Sequence, residues 1–172
     1  MLSPATLARV RVAAGRYPSA RSAVLPALWA VQDQFGYLPS AALATVADEL
    51  GLVPSEVAAV SSFYSMYFSR KPGQHFLQVC RNVSCALRGA DDILAYLGRV
   101  LGVEDGGTTA DGLFTLEGTV ECLGGCGGAP MMQVDRYSYE DLTPERCDDI
   151  ITTLRADPPP DAGRGVELRG RL

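Results

Sequence analysis

Histidine, lysine and long apolar runs are scarce in this sequence, and each scarcity argues against a class of function. His75 is the only histidine and Lys71 the only lysine among the 172 residues. A single histidine argues against histidine-based catalytic triads and against metal sites with several histidine ligands. No stretch reaches the roughly 18 consecutive apolar residues that a membrane-spanning helix requires, so no span is expected.

Two nucleotide-binding signatures are also absent. The sequence contains no Gly-x-Gly-x-x-Gly and no phosphate-binding Gly-Lys-Ser/Thr. We therefore expect no dinucleotide or nucleoside triphosphate site in this chain. The formal net charge of −5 argues against non-specific binding of nucleic acid, which requires a basic surface.

The N-terminus has no continuous apolar segment of the secretory type. Its first acidic residue is Asp33, which four arginines precede: Arg9, Arg11, Arg16 and Arg21. An arginine-rich, acid-poor start is compatible with a mitochondrial targeting segment, but the exposed face of an ordinary helix explains the same pattern. Without an export signal, the five cysteines are expected in a reducing compartment, where paired cysteines are metal ligands more often than disulfides.

Residues 3–70 have the pattern of a small helical bundle. Ser3-Pro4 is typical of a helix start, with serine as the N-cap and proline in the first turn. Apolar residues at helical spacing predict three more helices, and glycine ends the first two of them. These helices are predicted over residues 20–35, 43–50 and 54–67, and the two glycines are Gly36 and Gly51.

Aromatic side chains are frequent in this first segment. The stretch from Ser61 to Phe68 is rich in them and contains no basic residue. Stacking on nucleic-acid bases would require interleaved positive charge, so core packing or a subunit contact is the better interpretation. Because aromatic residues are enriched at interfaces, we expect the helical region to serve assembly.

After the turn signal Arg70-Lys71-Pro72-Gly73 the pattern changes to that of a sheet with helices packed on it. Alternation over residues 75–80 predicts a first strand. Further strands are predicted over 113–120, 131–134 and 137–139, and helices over 89–101 and from the cap Thr143 onward. The end of the chain from Asp157 is rich in proline and glycine, so it is expected to pack little by itself.

Four of the five cysteines form two pairs, Cys80-x4-Cys85 and Cys122-x3-Cys126. Each pair is predicted in a loop at the end of a strand, where its side chains can converge. A 2Fe–2S cluster requires four thiolates, two on each iron. The glycines around Cys126 would let the backbone approach the sulfurs closely. This pattern favours a 2Fe–2S cluster.

Spacing alone leaves two alternatives open. Structural zinc also uses four cysteines with gaps of two to four residues, and the thiols could be free or form disulfides. Cys147 differs from the other four because it aligns with three apolar residues at helical spacing on the last predicted helix: Ile150, Ile151 and Leu154. It is predicted to be a buried structural thiol.

Several short stretches match a known family. They are Gln32-Asp33-Gln34-Phe35-Gly36-Tyr37-Leu38-Pro39, Ser62-Phe63-Tyr64-Ser65, Val79-Cys80 with Cys85, Val120-Glu121-Cys122-Leu123-Gly124-Gly125-Cys126 followed by Ala129-Pro130, and Asp141-Leu142-Thr143-Pro144-Glu145. Through them the sequence resembles the small thioredoxin-like 2Fe–2S subunit of the NADH dehydrogenase module of respiratory complex I. The resemblance covers roughly residues 17–156.

The resemblance implies an α+β fold in which an N-terminal helical bundle precedes a thioredoxin-like α/β domain. The expected boundaries are 1–72 for the bundle, 73–157 for the thioredoxin-like domain and 158–172 for a C-terminal tail. The resemblance also implies that Cys80, Cys85, Cys122 and Cys126 bind one 2Fe–2S cluster. FMN and NADH are expected only on a larger partner subunit of the same complex.

The function that the resemblance implies is the exchange of single electrons with the flavin of that partner in NADH:quinone oxidoreductase. No independent catalytic site is expected in this chain, and its partners would be the flavin subunit and other complex I subunits. Two alternatives are an equivalent diaphorase subunit of an NAD-linked formate dehydrogenase or bidirectional hydrogenase, and a zinc-stabilised interaction protein. The expected location is cytoplasmic and peripheral to the inner membrane, or the mitochondrial matrix in a eukaryote.

Two positions depart from the family pattern. Asp135 stands where many members have asparagine, and Gly127-Gly128 replaces more varied residues after the fourth cysteine. Neither departure removes a proposed ligand. Each is expected to affect hydrogen bonding near the cluster and, through it, the reduction potential.

Overall fold

Four helices make up the first part of the chain. They are α1 (Pro4–Arg16), α2 (Val24–Phe35), α3 (Ser40–Leu50) and α4 (Pro54–Phe63), with a turn of 3-10 helix over Ala20–Ala23. The computed structural model describes residues 1–156 and 166–167. The chain divides into two compact units, Met1–Lys71 and Pro72–Leu172.

The helix ends in the first unit follow the capping residues. Ser3 Oγ accepts a hydrogen bond from the Thr6 N–H at 3.1 Å, so Ser3 is the N-cap of α1. Gly36 and Gly51 follow α2 and α3 with φ angles of 77° and 66°. Glycine adopts this left-handed conformation without strain, so the predicted helix starts and stops are confirmed at these positions.

The predicted extension of α4 to Tyr67 is wrong, because α4 ends at Phe63. The backbone beyond that point bonds to α2 instead. The buried Gln32 amide donates to the Met66 carbonyl at 2.9 Å and accepts from the Phe68 N–H at 2.8 Å. Those tertiary hydrogen bonds satisfy backbone groups that an extended helix would otherwise use.

The arginines of the N-terminal segment lie on exposed surfaces, as expected for the outer face of a helix. Arg9 pairs with Asp33 and Arg11 with Glu49, each at 2.7 Å. Such exposed pairs contribute little to stability. The apolar face of α1 instead contributes Val10 and Ala13 to the buried side of the helix.

The second unit is a sheet flanked by helices. Its elements are β1 (His75–Cys80), α5 (Val83–Leu87), α6 (Ala90–Leu101), β2 (Phe114–Thr119), β3 (Met132–Val134), β4 (Tyr137–Tyr139), α7 (Pro144–Arg155) and β5 (Val166–Glu167). The strand order is β2-β1-β3-β4-β5. β1 and β2 are parallel, and every other neighbouring pair is antiparallel. The α+β, thioredoxin-like class expected from the sequence is confirmed.

Two features of this unit were not predicted. The five-residue helix α5 follows β1 immediately, and it is too short for apolar periodicity to reveal it. Val166–Glu167, in the segment assigned to the tail, pairs with β4 as the edge strand β5. The rest of the predicted tail lies outside the described residues.

One hydrophobic core joins the sheet to α6 and α7. α6 contributes Ile93, Leu97 and Leu101, which follow one another at intervals of four residues on its buried face. Truncating a fully buried leucine such as Leu97 to alanine typically costs about 2–5 kcal/mol. None of the helices among the described residues is long and apolar enough to cross a bilayer.

Candidate metal centre

The four cysteines predicted as ligands come from four different kinds of local structure. Cys80 is the last residue of β1 and Cys85 lies on α5; each is only 2% exposed. Cys122 lies in the loop after β2, and Cys126 opens a 3-10 turn over Cys126–Gly128; both are exposed. The prediction that all four lie on loops is therefore wrong for Cys80, which ends a strand, and for Cys85, which lies on a helix.

Sheet topology explains why the pairs meet. β1 and β2 are parallel, with Cys80 opposite Thr119, so both strands end at the same edge of the sheet. The Arg81 N–H donates to the Thr119 carbonyl at 2.8 Å, which holds the two strand ends together. Cys80 and the loop that contains Cys122 consequently leave the sheet side by side.

The sulfur contacts connect the pairs. Cys122 Sγ lies 3.7 Å from Cys126 Sγ. The Cys80 thiol donates to the carbonyl of Glu121, the neighbour of Cys122, at 3.7 Å. The structure thus brings Cys80 of the first pair into contact with the backbone next to Cys122 of the second pair.

Burial raises the pKa of the Cys85 thiol to about 11. The backbone N–H of Met131 acts in the opposite direction, whereas the nearby Cys80 and Cys126 add to the rise. Cys85 therefore lies close enough to both of these cysteines for their charges to affect its pKa. Metal binding would have to displace its proton, because the ligand form is the thiolate.

The residues present fit a thiolate-bound metal centre. Two sulfurs bonded at about 2.3 Å to one tetrahedral metal lie about 3.8 Å apart, and the Cys122–Cys126 separation of 3.7 Å matches that value. Among the described residues, no group of three or more His, Cys, Asp or Glu side chains is arranged around a single ion. The Cys122–Cys126 distance by itself fits either zinc or iron, since both bind cysteine thiolates.

Cys147 differs in its setting from the four predicted ligands. It lies on α7 and is fully buried with Ile150, Ile151 and Leu154. Burial raises the pKa of its thiol to about 11. The prediction of a buried structural thiol on the last helix is confirmed.

Two residues that support the site were missed in the sequence. Asn82 is the N-cap of α5, and its Nδ2 donates to the Val120 carbonyl at 2.9 Å, which ties the two ligand loops together. Glu140, directly after β4, lies against the glycines beside Cys126. Asn82 could have been recognised as a cap, but nothing in the local sequence distinguishes Glu140.

Asp135 lies far from the cysteines. It has a φ of 53° in the β3–β4 turn, where its carboxylate accepts from the Phe76 N–H and contacts His75 Nδ1, each at 2.8 Å. This is the opposite end of β1 from Cys80, about 16 Å along the strand. The expected direct effect of Asp135 on hydrogen bonding at the cysteines is therefore not supported.

Comparison with known proteins assigns the chain to a family. The model of the thioredoxin-like [2Fe-2S] ferredoxin family matches residues 10–155. The chain belongs to this family. Membership decides between the metals that spacing left open, because this family is defined by a 2Fe–2S centre and not by zinc.

Curated relatives resemble nearly the whole chain. The E subunit of NADH-quinone oxidoreductase from Mycobacterium bovis is 43% identical over 171 residues, which are 97% of this chain and 68% of the relative. The corresponding E 2 subunit of Rhizobium meliloti is 42% identical, with 86% and 87% covered. Subunit 2 of the Thermus thermophilus enzyme is 40% identical, with 82% and 79% covered.

Among solved structures, an NAD+-reducing [NiFe]-hydrogenase in its H2-reduced state contains a similar region. The TM-score is 0.70 at 26% identity, over 84% of this chain. The chain spans about a quarter of that hydrogenase chain, 24% of its length. The similarity therefore concerns one part of a larger protein.

The aromatic stretch of the first unit divides between core and surface. Tyr67 is buried, and its hydroxyl donates to the Leu25 carbonyl at 2.9 Å. Phe63 is 78% exposed, and Trp29, which lies outside the stretch on α2, is exposed as well. Core packing accounts for Tyr67, whereas the surface side chains are available for a contact.

Proposed function

We propose that this chain is an electron-transfer subunit of an NADH:quinone oxidoreductase and that Cys80, Cys85, Cys122 and Cys126 together bind its one 2Fe–2S cluster. The observation behind this proposal is the meeting of two cysteine pairs at one sheet edge in a member of this family. When bound, the cluster supplies a centre that exchanges one electron at a time. Four thiolate ligands predict a low potential, below roughly −150 mV.

The division of labour between ligands follows from their burial. Cys80 and Cys85 are enclosed by the core and would fix one side of the centre, while the exposed Cys122 and Cys126 would present the other side to a partner. Electron transfer requires close approach of the donor, and an exposed pair permits it. We propose no independent catalytic site in this chain.

The proposed partner is the subunit that binds flavin and NADH, which the family resemblance implies. The curated relatives are named as subunits of NADH-quinone oxidoreductase, which supports a partner in the same complex. Exposed apolar side chains near the cysteines support a docking face: Val83 is 67% exposed, Leu87 82% and Val120 76%. Val83 and Leu87 lie on the same face of α5, one turn apart, and Asn82 bonds to the Val120 carbonyl. A partner that covers these side chains would also exclude water from the exposed cysteines.

Location and domain limits are part of the same proposal. We place the protein peripherally at the inner membrane as part of the complex, in the cytoplasm or, in a eukaryote, the mitochondrial matrix. The boundaries 1–72, 73–157 and 158–172 remain as predicted, with assembly as the proposed role of the helical bundle and the tail. Because β5 lies inside the last segment, removing the tail would also remove an edge strand.

A second candidate is the equivalent diaphorase subunit of an NAD-linked hydrogenase or formate dehydrogenase. The fold similarity to the NAD+-reducing hydrogenase supports it. Higher identity over more of the chain favours the quinone-linked enzyme. Affinity purification from the native cell distinguishes them, since the chain would co-purify either with quinone-reductase subunits or with a hydrogenase or formate dehydrogenase.

The function is tested with the isolated chain. It should be reddish-brown, show iron and acid-labile sulfide in equal amounts, accept electrons from dithionite and fail to oxidise NADH. Sustained NADH turnover by the isolated chain, or a colourless protein that retains zinc, would contradict the proposal.

The docking face is tested separately. Leu87→Glu should weaken co-purification with the flavin subunit without changing the visible spectrum, because the side chain is exposed and does not bind the metal. The matched control is Val100→Glu on α6, also at an exposed apolar position. Equal effects of the two substitutions would remove α5 from the proposed interface.

A further inference from the structure

The Glu140 side chain, which follows β4 in the sequence, packs against the loop that contains Cys126. A Cβ atom added to Gly128 would come within 2.5 Å of Glu140 Cβ, and one added to Gly125 within 3.0 Å of Glu140 Oε1. Gly125 and Gly128 flank Cys126 on both sides. The carboxylate therefore rests on the backbone that presents this cysteine, at a distance that only glycine permits.

The backbone around Glu140 is fixed against the same loop. The Asp141 N–H donates to the Gly128 carbonyl at 2.6 Å, and the Leu142 N–H donates to the Pro130 carbonyl at 2.9 Å. Tyr139, on the other side, belongs to β4 and is buried. Glu140 is thus held beside Cys126 by its neighbours on both sides and does not reach it through a flexible loop.

The contrast with Gly127 shows that the contact is local. A Cβ atom at Gly127 would meet nothing within 4 Å. The glycines next to Cys126 therefore have different roles: Gly128 makes room for Glu140, and Gly127 does not. Of the two glycines that depart from the family pattern, Gly128 is required sterically because a side chain there would collide with Glu140. Gly127 has no such requirement.

The Glu140 carboxylate has no direct partner among the described residues, and the nearby cation Arg88 bonds to the same loop through the Ala129 carbonyl, to which its Nε donates at 3.4 Å. Within residues 1–156, its carboxylate forms no hydrogen bond and no ion pair with another side chain or with the backbone. Its negative charge can therefore act through space on whatever lies beside it. Here it lies beside one of the exposed pair of proposed ligands.

We propose that Glu140 is a positioning residue for the cluster loop and that its negative charge lowers the reduction potential of the centre. The inference rests on the proposed ligand set. A reduced 2Fe–2S centre with four thiolates has one more negative charge than the oxidised one. A nearby carboxylate destabilises the reduced form more than the oxidised form and makes the potential more negative.

The test is a redox titration of the whole chain followed by EPR, with three variants. Glu140→Gln keeps the shape and removes the charge, so the midpoint potential should move to a less negative value. Glu140→Asp keeps the charge and should stay nearer to the wild type. Asp149→Asn removes the same charge from an exposed position on α7 and serves as the matched control, with little shift.

Iron content and thermal unfolding of the apoprotein are measured alongside, for these three variants and for Glu140→Ala, which removes the whole carboxylate side chain. Unchanged potentials in Glu140→Gln, or a shift equal to that of Asp149→Asn, would overturn the electrostatic part of the inference. Unchanged cluster retention in Glu140→Ala would overturn the positioning part. If the four cysteines were not the ligands, their alanine variants would keep the cluster. If only the expected effects of the Glu140 variants were not observed, the proposed ligand set would still hold.

Discussion

The two cysteine pairs are the same in chemistry and opposite in setting. Cys80 and Cys85 sit on regular elements inside the core, whereas Cys122 and Cys126 sit on an exposed loop with glycine at four nearby positions: Gly124, Gly125, Gly127 and Gly128. Core packing fixes the first pair. Backbone hydrogen bonds and close approach at glycine fix the second.

This difference separates folding from metal binding. A substitution at the buried pair removes a ligand and also disturbs the core, so it affects the apoprotein. A substitution at the exposed pair removes only a ligand. The four predictions below test that separation, in order of decreasing effect.

The largest effect is expected from alanine at a proposed ligand. Cys122→Ala removes one of four thiolates, so the visible absorption and the EPR signal of the reduced protein should be lost. Cys147→Ser should leave both intact, because this thiol is buried on α7 with Ile150, Ile151 and Leu154 and is not a proposed ligand. Retention of the cluster in the first variant together with its loss in the second would reverse the assignment.

Thiol labelling of the apoprotein compares the pairs directly. Burial raises the pKa of Cys85 to about 11, so at pH 8 only about one molecule in a thousand has the reactive thiolate. Relative to an unperturbed cysteine with a pKa near 8.5, reaction should be slower by roughly a hundredfold or more. Raising the pH toward 11 should speed labelling of Cys85 and of Cys147.

Mass spectrometry after brief alkylation measures the order in which the cysteines are labelled. The exposed Cys122 and Cys126 should be modified first. Labelling of Cys85 at the same rate as the exposed pair at pH 8 would show that the apoprotein does not keep the buried pair enclosed.

Stability of the apoprotein should distinguish the pairs by free energy of unfolding. Cys85→Ser places a hydroxyl in a buried site, which should cost about 1–3 kcal/mol. Cys122→Ser changes an exposed side chain and should alter stability by less than about 0.5 kcal/mol. Urea unfolding followed by circular dichroism measures both, and equal costs would contradict the contrast between the pairs.

The smallest effect is expected at the glycines beside Cys126. Gly128 is buried, so Gly128→Ala forces Glu140 or the loop to move. It should destabilise the protein by roughly 1 kcal/mol, an overpacking penalty. Gly127→Ala, with open space around it, is the matched control and should be nearly neutral. Thermal unfolding and iron content compare the two variants, and a larger loss at Gly127 would refute the packing argument.

Several elements could be predicted because their signals are local. The N-cap at Ser3, the glycine stops after α2 and α3, and the start of α7 at Thr143 depend on residues within one turn of each helix end. Cys147 could be separated from the other cysteines because it shares a helical face with apolar neighbours. The family resemblance predicted the thioredoxin-like fold. The order of strands and helices alone predicted only a sheet with helices packed on it.

Other features could not be predicted because distant residues decide them. α4 ends at Phe63 since Gln32, more than 30 positions earlier, binds the backbone of Met66 and Phe68. α5 is too short to show a period. The approach of Glu140 to Gly128 depends on the turn that brings the end of β4 back to the cysteine loop.

By itself the sequence determined which atoms are available for metal binding, four paired thiols and a single histidine, because ligand chemistry belongs to individual side chains. It also determined most helix limits, because capping involves only nearest neighbours. Only the tertiary structure decided which thiols are buried, which are exposed and which carboxylate lies beside them. Burial and through-space charge depend on contacts between segments far apart in the chain, which form only when β1 and β2 align and their ends meet at one edge of the sheet.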